Sequence, residues 1–246
     1  MPLVTGVTPD DLKRAAAARA VECIASDTVI GLGTGSTVRP LLELLSARLA
    51  SGALQGVVAV PTSEDTASRC RVLGIPLTTL DEVPFLDLTV DGADEFDDEL
   101  RLIKGGGGAL LREKIVATSS ERMIVIADVS KRVAPLGKFP LPVEVVRFGL
   151  VATRNMVAAH AAEAGCEGEI KLRLGKDGTP FVTDSGNLLL DCAFGRIDKP
   201  EMLDDALKRV PGVVENGLFL GIADVAIVAG ADGVVLLERD VSGKSN

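Results

Sequence analysis

Short apolar runs alternate with amphipathic, helix-forming stretches along the first half of the chain. Apolar runs of about four to eight residues bounded by turn residues are typical of buried strands. They predict strands at residues 28–32, 56–61, 75–79, 85–90 and 122–127. The stretches between them predict helices at residues 9–25, 38–49, 63–73 and 109–119. Strands that alternate with helices indicate a largely parallel sheet covered by helices on both faces.

The pattern changes after residue 138. The predicted order is strand, helix, strand, strand, helix, strand, at residues 143–146, 150–164, 169–174, 187–192, 200–209 and 213–215. This order resembles a small ferredoxin-like unit. Apolar runs at 222–229 and 234–238 then predict a return to the first sheet, and the polar tail 242–246 is predicted to be disordered.

The fold class expected from this pattern is α/β. It consists of a Rossmann-like, mostly parallel sheet flanked by helices, with a smaller α+β ferredoxin-like domain inserted into it. Residues 1–137 and 218–246 form the expected α/β domain, and residues 138–217 the small domain.

Composition restricts the partners. The 246 residues are 47% hydrophobic and 25% charged, as in an ordinary globular protein. A net charge of −9 argues against a nucleic-acid surface, which needs a clustered basic face, but it does not exclude a small anionic substrate. Residues 1–13 have no apolar core of a signal peptide, and no uninterrupted apolar run is long enough for a membrane span. We therefore expect a soluble, cytoplasmic protein.

Cysteine and histidine positions offer no metal site. The four cysteines are far apart, form no CxxC pair, and are accompanied by one histidine, His160. This spacing does not match a zinc site, so no metal is expected and the thiols are expected to be buried and free. They are Cys23, Cys70, Cys166 and Cys192.

A turn rich in Gly, Ser and Thr follows the first predicted strand, at residues 33–37. A strand, such a turn and a helix can present N–H groups and hydroxyls to a phosphate. The alternative is a tight turn in which Ser36 or Thr37 only caps the helix. The segment matches neither the Walker loop nor the dinucleotide pattern, in which small residues would replace Arg39 and Pro40.

Asp91 and Asp94 flank a Gly-Ala pair just after the predicted strand 85–90. The carboxyl ends of strands are where ligands bind in open α/β sheets. Two carboxylates on a tight turn can hold sugar hydroxyls, bind a cation or exchange protons with a substrate. The alternative is a solvated acidic loop, because residues 97–99 are also acidic.

Lys104 is followed by four glycines, Gly105–Gly108. Ordering four glycines costs conformational entropy, and close approach of the backbone to a ligand would justify that cost. A flexible linker is the alternative, but an apolar helix pattern begins directly afterwards. Taken alone, Glu113 in this helix is most simply an exposed glutamate favoured by the helix dipole, and Lys131 is either an anion contact or a surface lysine.

Together these motifs resemble the ribose 5-phosphate isomerases of the A type. The resemblance covers nearly the whole chain in the right order, with Ser185 as one departure. Its motifs are Gly33–Thr37, Asp91–Glu95, Lys104–Gly108, Arg112–Lys114, Ala127–Lys131, Leu136–Val145, Thr183–Asn187 and Pro211–Phe219.

The resemblance implies interconversion of D-ribose 5-phosphate and D-ribulose 5-phosphate through an enediol(ate), in the non-oxidative pentose phosphate pathway. It assigns the base to Glu113 and a positive partner for the oxyanion to Lys104, with hydroxyl binding and ring opening at Asp91 and Asp94. It implies no cofactor, no metal, and a homodimer or homotetramer. The implied substrate contacts are Thr34, Gly35, Ser36, Thr37, Asp91, Gly92, Ala93, Asp94, Lys104, Gly105, Gly106, Gly107 and Lys131, with Lys13 as a further phosphate contact.

Four other functions fit less well. An aminosugar-phosphate isomerase or a CoA transferase of the same fold group is disfavoured by the combination of the acidic turn with the Lys104 glycine segment. A non-catalytic sugar-phosphate sensor of the repressor type would need a DNA-binding module, for which the acidic balance and the short N-terminus leave no room. A nucleotide-dependent dehydrogenase is disfavoured by the glycine spacing.

Overall fold

The computed structural model describes residues 7–239, which contain thirteen strands and six α-helices. The strands are β1 Val29–Leu32, β2 Val58–Pro61, β3 Leu88–Gly92, β4 Glu95–Phe96, β5 Leu102–Ile103, β6 Met123–Asp128, β7 Leu141–Val145, β8 Glu169–Leu172, β9 Leu188–Ala193, β10 Val213–Asn216, β11 Leu218–Phe219, β12 Val225–Gly230 and β13 Gly233–Glu238. The helices are α1 Pro9–Val21, α2 Val38–Ala50, α3 Glu64–Val72, α4 Leu110–Thr118, α5 Leu150–Glu163 and α6 Pro200–Lys208, and a 3₁₀ turn spans Val129–Lys131. The predicted disordered tail, 242–246, lies outside the described residues.

The described residues form two compact units. The first contains the residues up to Gly92, Val116–Lys131 and the residues from Ala223 onward, and the second contains Ala93–Ile115 and Arg132–Ile222. The expected domain boundaries, 1–137 with 218–246 against 138–217, stay a prediction. The compact units differ from that division chiefly by grouping residues 93–115 with the second unit.

A six-stranded sheet forms the centre of the first unit. Its order is β13-β12-β6-β3-β1-β2, and all neighbours are parallel except β12 and β13. The inner strands are apolar runs whose residues are almost all buried, because helices and sheet exclude water from both faces. Helix α1 begins as its sequence indicates, with a reciprocal capping box between Thr8 and Asp11 and Pro9 in the first turn. The predicted α/β class is confirmed.

An antiparallel four-stranded sheet of order β10-β7-β9-β8 lies in the second unit. Helices α5 and α6 contribute Val157, Leu203 and Leu207 to its buried core. The strand–helix–strand–strand–helix–strand sequence and this sheet order are those of a ferredoxin-like unit, so that prediction is confirmed. A second, three-stranded sheet, β11-β5-β4, belongs to the same unit.

Three details differ from the sequence predictions. The run 75–79 forms no strand, since only Leu77 makes an isolated bridge, to Ala59, and Pro76 has no N–H to donate. The strand predicted at 85–90 is β3, which spans Leu88–Gly92. Asp91 therefore lies within the strand rather than after it. The sheet of β4, β5 and β11 was not predicted, because strands of two residues are too short to show a period.

Candidate active site

Asp91 is a fully buried carboxylate near the end of β3. Its Oδ1 accepts the N–H of Gly92 at 2.7 Å and the N–H of Thr34 at 3.2 Å. Thr34 is reachable because β1 and β3 are parallel neighbours, so the turn after β1 lies beside the end of β3. A Cβ at Gly33 would lie 1.9 Å from Oδ1, so the close approach of this turn to Asp91 requires glycine.

Three hydroxyl groups orient the side chain of Thr34. Its Oγ1 lies 2.8 Å from Thr62 Oγ1 and 3.3 Å from Thr66 Oγ1, and it donates to Ser63 Oγ at 2.8 Å. Thr66 Oγ1 in turn donates to the carbonyl of Gly33 at 2.9 Å. The sequence predicts only a helix at 63–73 here, because nothing in the spacing of residues 62 and 63 indicates contact with the turn after β1.

The turn after β1 leads directly into α2. Gly35 has a φ of 112°, and its carbonyl accepts the N–H groups of Val38 and Arg39. Thr37 occupies the N-cap position with a helical backbone and makes no side-chain cap hydrogen bond. The alternative to phosphate binding was that the side chain of Thr37 only caps the helix, and for Thr37 that alternative is wrong.

The 3₁₀ turn after β6 carries Lys131, which is half-buried. Since β1, β3 and β6 are parallel, residues 34–37, Asp91 and Lys131 all belong to the carboxyl edge of the same sheet. Lys13, the more loosely assigned phosphate contact, pairs with Asp10 at 3.0 Å.

A buried ion pair lies in the second unit. Lys104 follows β5 and Glu113 lies in the first turn of α4, and Lys104 Nζ is 3.3 Å from Glu113 Oε2. Both residues are only 3% exposed. The interpretation of Glu113 as an exposed helix glutamate is therefore wrong. An Arg-Glu-Lys triplet does not indicate which of its members faces the protein interior.

The glycine segment is held by specific contacts. Gly105 has a φ of 110°, where a side chain is disfavoured, and a Cβ there would lie 2.8 Å from Leu110 Cδ2. The N–H of Gly106 donates to Asp94 Oδ2 at 2.7 Å, and a Cβ at Gly106 would lie 2.5 Å from Asp94 Oδ1. These contacts favour close packing of the segment over a flexible linker. Ala93, half-buried, and Asp94 begin this unit, and Gly107 is exposed within the segment.

A second buried lysine, Lys114, contacts the same aromatic ring as Lys104. Lys114 Nζ donates to Glu215 Oε1 and to the carbonyl of Asn216, both at 2.8 Å. The ring of Phe219 lies 5.4 Å from Lys104 Nζ and 5.0 Å from Lys114 Nζ, so one aromatic ring contacts both ammonium groups. Burial lowers the pKa of Lys114, against the opposing effect of Glu215. Lys114 and Phe219 lie within motifs of the family resemblance, but the sequence assigned neither of them a role.

The described residues 7–239 contain no group of three or more His, Cys, Asp and Glu side chains placed to hold a metal ion. Among the same residues, no helix is both long and apolar enough to cross a membrane. What the second unit does contain is a carboxylate beside a fixed ammonium, in a place largely closed to water. That arrangement suits proton transfer coupled to charge stabilisation.

Comparison with known proteins identifies relatives along almost the full chain. The profile of ribose 5-phosphate isomerase A (phosphoriboisomerase A) matches residues 58–233. The ribose-5-phosphate isomerase A of Parvibaculum lavamentivorans is 55% identical over 93% of this chain and 98% of that protein. The enzyme of the same name from Nitrobacter hamburgensis is 55% identical over 95% of this chain and 100% of that protein.

Solved structures agree with these sequence relatives. Ribose 5-phosphate isomerase from Plasmodium falciparum is 40% identical, with a TM-score of 0.89 over 94% of this chain and 99% of that chain. Ribose 5-phosphate isomerase A from Methanocaldococcus jannaschii is 39% identical, with a TM-score of 0.85 over 94% of this chain and 100% of that chain. A D-ribose-5-phosphate isomerase in complex with phospho-erythronic acid is 39% identical, with a TM-score of 0.88 over 94% of this chain and all of that chain.

Proposed function

Because this chain belongs to the ribose 5-phosphate isomerase A family, we propose that Glu113 is the base of its reaction. The chain is an aldose–ketose isomerase that interconverts D-ribose 5-phosphate and D-ribulose 5-phosphate. The reaction moves one proton between C2 and C1 through an enediol(ate). A single carboxylate that reaches both carbons is sufficient for this transfer.

The observation that carries the proposal is the buried pair of Glu113 and Lys104. A carboxylate that is 3% exposed loses and regains a proton in surroundings that exclude competing water. The ammonium of Lys104, 3.3 Å away, is placed to stabilise negative charge that develops on the substrate oxygen as Glu113 takes the proton. The positive charge is in place before the reaction begins, so little reorganisation is needed.

The N–H groups of Gly105 and Gly107 are the proposed neutral donors to the same oxyanion, since the N–H of Gly106 is donated to Asp94. Backbone N–H groups suit this role because they are fixed dipoles that add no net charge. The bond from Gly106 to Asp94 holds the segment in one conformation. Asp94 thereby combines two proposed tasks, holding the segment and binding a sugar hydroxyl.

The carboxyl edge of the six-stranded sheet carries further proposed contacts to sugar hydroxyls and phosphate. In this proposal Asp91 accepts a sugar hydroxyl and assists ring opening, and Gly92 and Ala93 contact the sugar beside it. Residues 34–37 and Lys131 bind the phosphate. Support comes from the N-terminus of α2, which has no side-chain cap from Thr37 and whose helix dipole favours an anion, and from the positive charge of Lys131.

The ligand of one similar isomerase supports an anionic sugar site. That protein is in complex with phospho-erythronic acid, which carries a carboxylate and a phosphate. A carboxylate is planar and negatively charged, and it resembles the planar, negatively charged enediolate, whose two oxygens lie on adjacent carbons. The compound therefore serves as a probe of the proposed oxyanion donors in this chain.

The test is a coupled assay of ribulose 5-phosphate formation with wild type, Glu113→Gln and, as a matched control, Glu121→Gln, which changes an exposed glutamate. We expect kcat of Glu113→Gln to fall by at least about 1000-fold with retained folding, and the control to match wild type. Near wild-type turnover of Glu113→Gln would overturn its assignment as the base. A folded wild type that binds the sugar phosphate without turnover would favour a non-catalytic sensor instead.

The family resemblance also supports a homodimer or homotetramer, acting in the cytoplasm, as the working form. Light scattering coupled to size-exclusion chromatography measures the assembly directly. A monomer of 25.6 kDa at assay concentration, with full activity, would contradict this part of the proposal.

A further inference from the structure

Arg173 contacts the glycine segment from the opposite side to Asp94. It follows β8 directly, and its Nη1 donates to the carbonyl of Gly105 at 2.7 Å and to the carbonyl of Gly106 at 3.2 Å. From this geometry we infer that Arg173 is a positioning residue for the isomerase reaction, which aims the N–H of Gly107 at the oxyanion. The inference rests on the proposed role of the Gly107 N–H as an oxyanion donor.

Peptide planarity connects the contact to the proposed role. In a trans peptide the carbonyl of one residue and the N–H of the next point in opposite directions. The carbonyl of Gly105 and the N–H of Gly106 share one peptide, which Arg173 holds at one end and Asp94 at the other. The carbonyl of Gly106 shares the next peptide with the N–H of Gly107, so holding that carbonyl sets the direction of this N–H.

Glycine makes such a device necessary. A peptide between two glycines has no Cβ on either side to limit its rotation, and each residue can adopt both signs of φ. The bonds from Arg173 restrict that freedom without a side chain in the segment itself. They hold the carbonyl side of the Gly106–Gly107 peptide, and Gly107 itself is exposed.

The guanidinium is itself held in place. Its Nε donates to Asp191 Oδ2 at 2.9 Å and its Nη2 donates to Asp191 Oδ1, a two-pronged contact with a carboxylate on β9. The carboxylate of Asp191 thus accepts hydrogen bonds from Nε and Nη2, while Nη1 donates to the glycine carbonyls. Arginine can do both because its five donors lie in one rigid plane, whereas the single ammonium of lysine cannot.

The experiment compares Arg173→Met and Arg173→Lys with wild type in the full-length enzyme. Misplacing a donor that acts on charge developed in the transition state lowers kcat more than it raises KM. We expect kcat to fall about 10- to 100-fold in both variants, with KM changed less than about threefold. The inhibition constant of phospho-erythronic acid should rise by a factor similar to the loss in kcat/KM.

Arg147→Met is the matched control, because Arg147 also donates from a guanidinium to a glycine carbonyl, that of Gly186, at 3.0 Å. It should leave kcat, KM and the inhibition constant unchanged. If Arg173→Met does not fold, Arg173→Lys decides alone, since it keeps the charge and most of the side-chain volume. Folded Arg173 variants with wild-type kcat overturn the inference.

Parallel assay of Glu113→Gln separates this inference from the proposed function. Loss of activity in Glu113→Gln together with wild-type kcat in the Arg173 variants would reject only the positioning role. Retained activity in Glu113→Gln would reject the assigned base, whatever the Arg173 variants do. A purely structural role for Arg173 would lower the melting temperature without lowering kcat, and that result also counts against the inference.

Discussion

Lys104 Nζ and Glu113 Oε2 lie 3.3 Å apart, and each residue is 3% exposed to solvent. One residue follows a strand and the other lies in the first turn of the next helix, with the glycine segment between them in sequence. Burial makes the pair sensitive to the loss of either partner, because water cannot replace the missing charge.

Replacing Lys104 with Met should abolish most turnover. The variant loses the positive charge proposed to stabilise the oxyanion, and we expect kcat to fall about 100- to 1000-fold. The coupled assay measures this, with Lys176→Met as control because Lys176 is exposed on a turn. Equal kcat values in the Lys104 variant and the control would remove Lys104 from the mechanism.

Adding one methyl group at Gly106 should disturb the glycine segment. The new Cβ would lie 2.5 Å from Asp94 Oδ1, so the backbone or Asp94 must shift and the bond from the Gly106 N–H is strained. We expect kcat/KM of Gly106→Ala to fall about 10- to 100-fold. Gly230→Ala is the control, since a Cβ there has ordinary contact with Val129 at 3.8 Å. An unchanged Gly106→Ala enzyme would show that the position of this segment does not matter.

Two substitutions at Asp91 should separate its structural and chemical roles. Asn keeps an oxygen to accept the N–H groups of Thr34 and Gly92, so Asp91→Asn should retain nearly wild-type stability but lose activity. Ala leaves the buried N–H of Gly92 and the partly buried N–H of Thr34 without that acceptor, which should lower the free energy of unfolding by about 2–4 kcal/mol. Thermal and urea denaturation with the coupled assay check both points. Identical stabilities for the two variants would contradict the structural role.

Thiol labelling should distinguish Cys23 from the other three cysteines. Cys70, Cys166 and Cys192 are buried and free, whereas Cys23 is partly exposed. Burial raises the pKa of Cys70 to about 11 and also raises the pKa of Cys166 and Cys192. At pH 8 we expect about one fast thiol in the native protein and four after denaturation, and Cys23→Ser should remove the fast one.

The same raised pKa values predict a pH dependence of stability. Above the pKa of an unfolded thiol, about 8.5, the unfolded chain binds fewer protons than the native one, so the free energy of unfolding falls with pH. The contribution of Cys70 to the free energy of unfolding is fully present below about pH 8.5, the pKa of the unfolded thiol. It is lost as pH rises through about 11. The free energies of unfolding of wild type and Cys70→Ala, measured between about pH 8 and about pH 10.5, should therefore converge as pH rises. A constant difference would show that this thiol does not titrate differently on unfolding.

Much of the fold could be predicted because its signals are local. The helix that begins at Thr8 shows its capping box and Pro9 in consecutive residues, and the apolar runs of β1, β3, β6 and β12 are long enough to show their character. The prediction of a strand at 75–79 was wrong. A short sequence pattern does not reveal whether a neighbouring strand is placed to form continuous backbone hydrogen bonds with it.

The candidate residues were predictable as motifs but not as contacts. The aspartates, the lysine and the glycines stand out in the sequence because such residues are costly without a reason to keep them. Glu113 stood out only through the resemblance to the isomerase family. Arg173, Lys114 and Phe219 gave no local signal, since their roles depend on segments about 70 to 100 residues away in the chain.

The sequence by itself determined the α/β class, the ferredoxin-like unit, the family and the identities of the candidate catalytic groups. These follow from periodicity, capping residues and motifs, all of which act between residues close in the chain. Only the tertiary structure decided that Glu113 is buried beside Lys104, that Thr34 binds Asp91, and that Arg173 holds the glycine carbonyls. Burial and hydrogen bonding between distant segments arise from packing, and packing is a property of the folded chain as a whole.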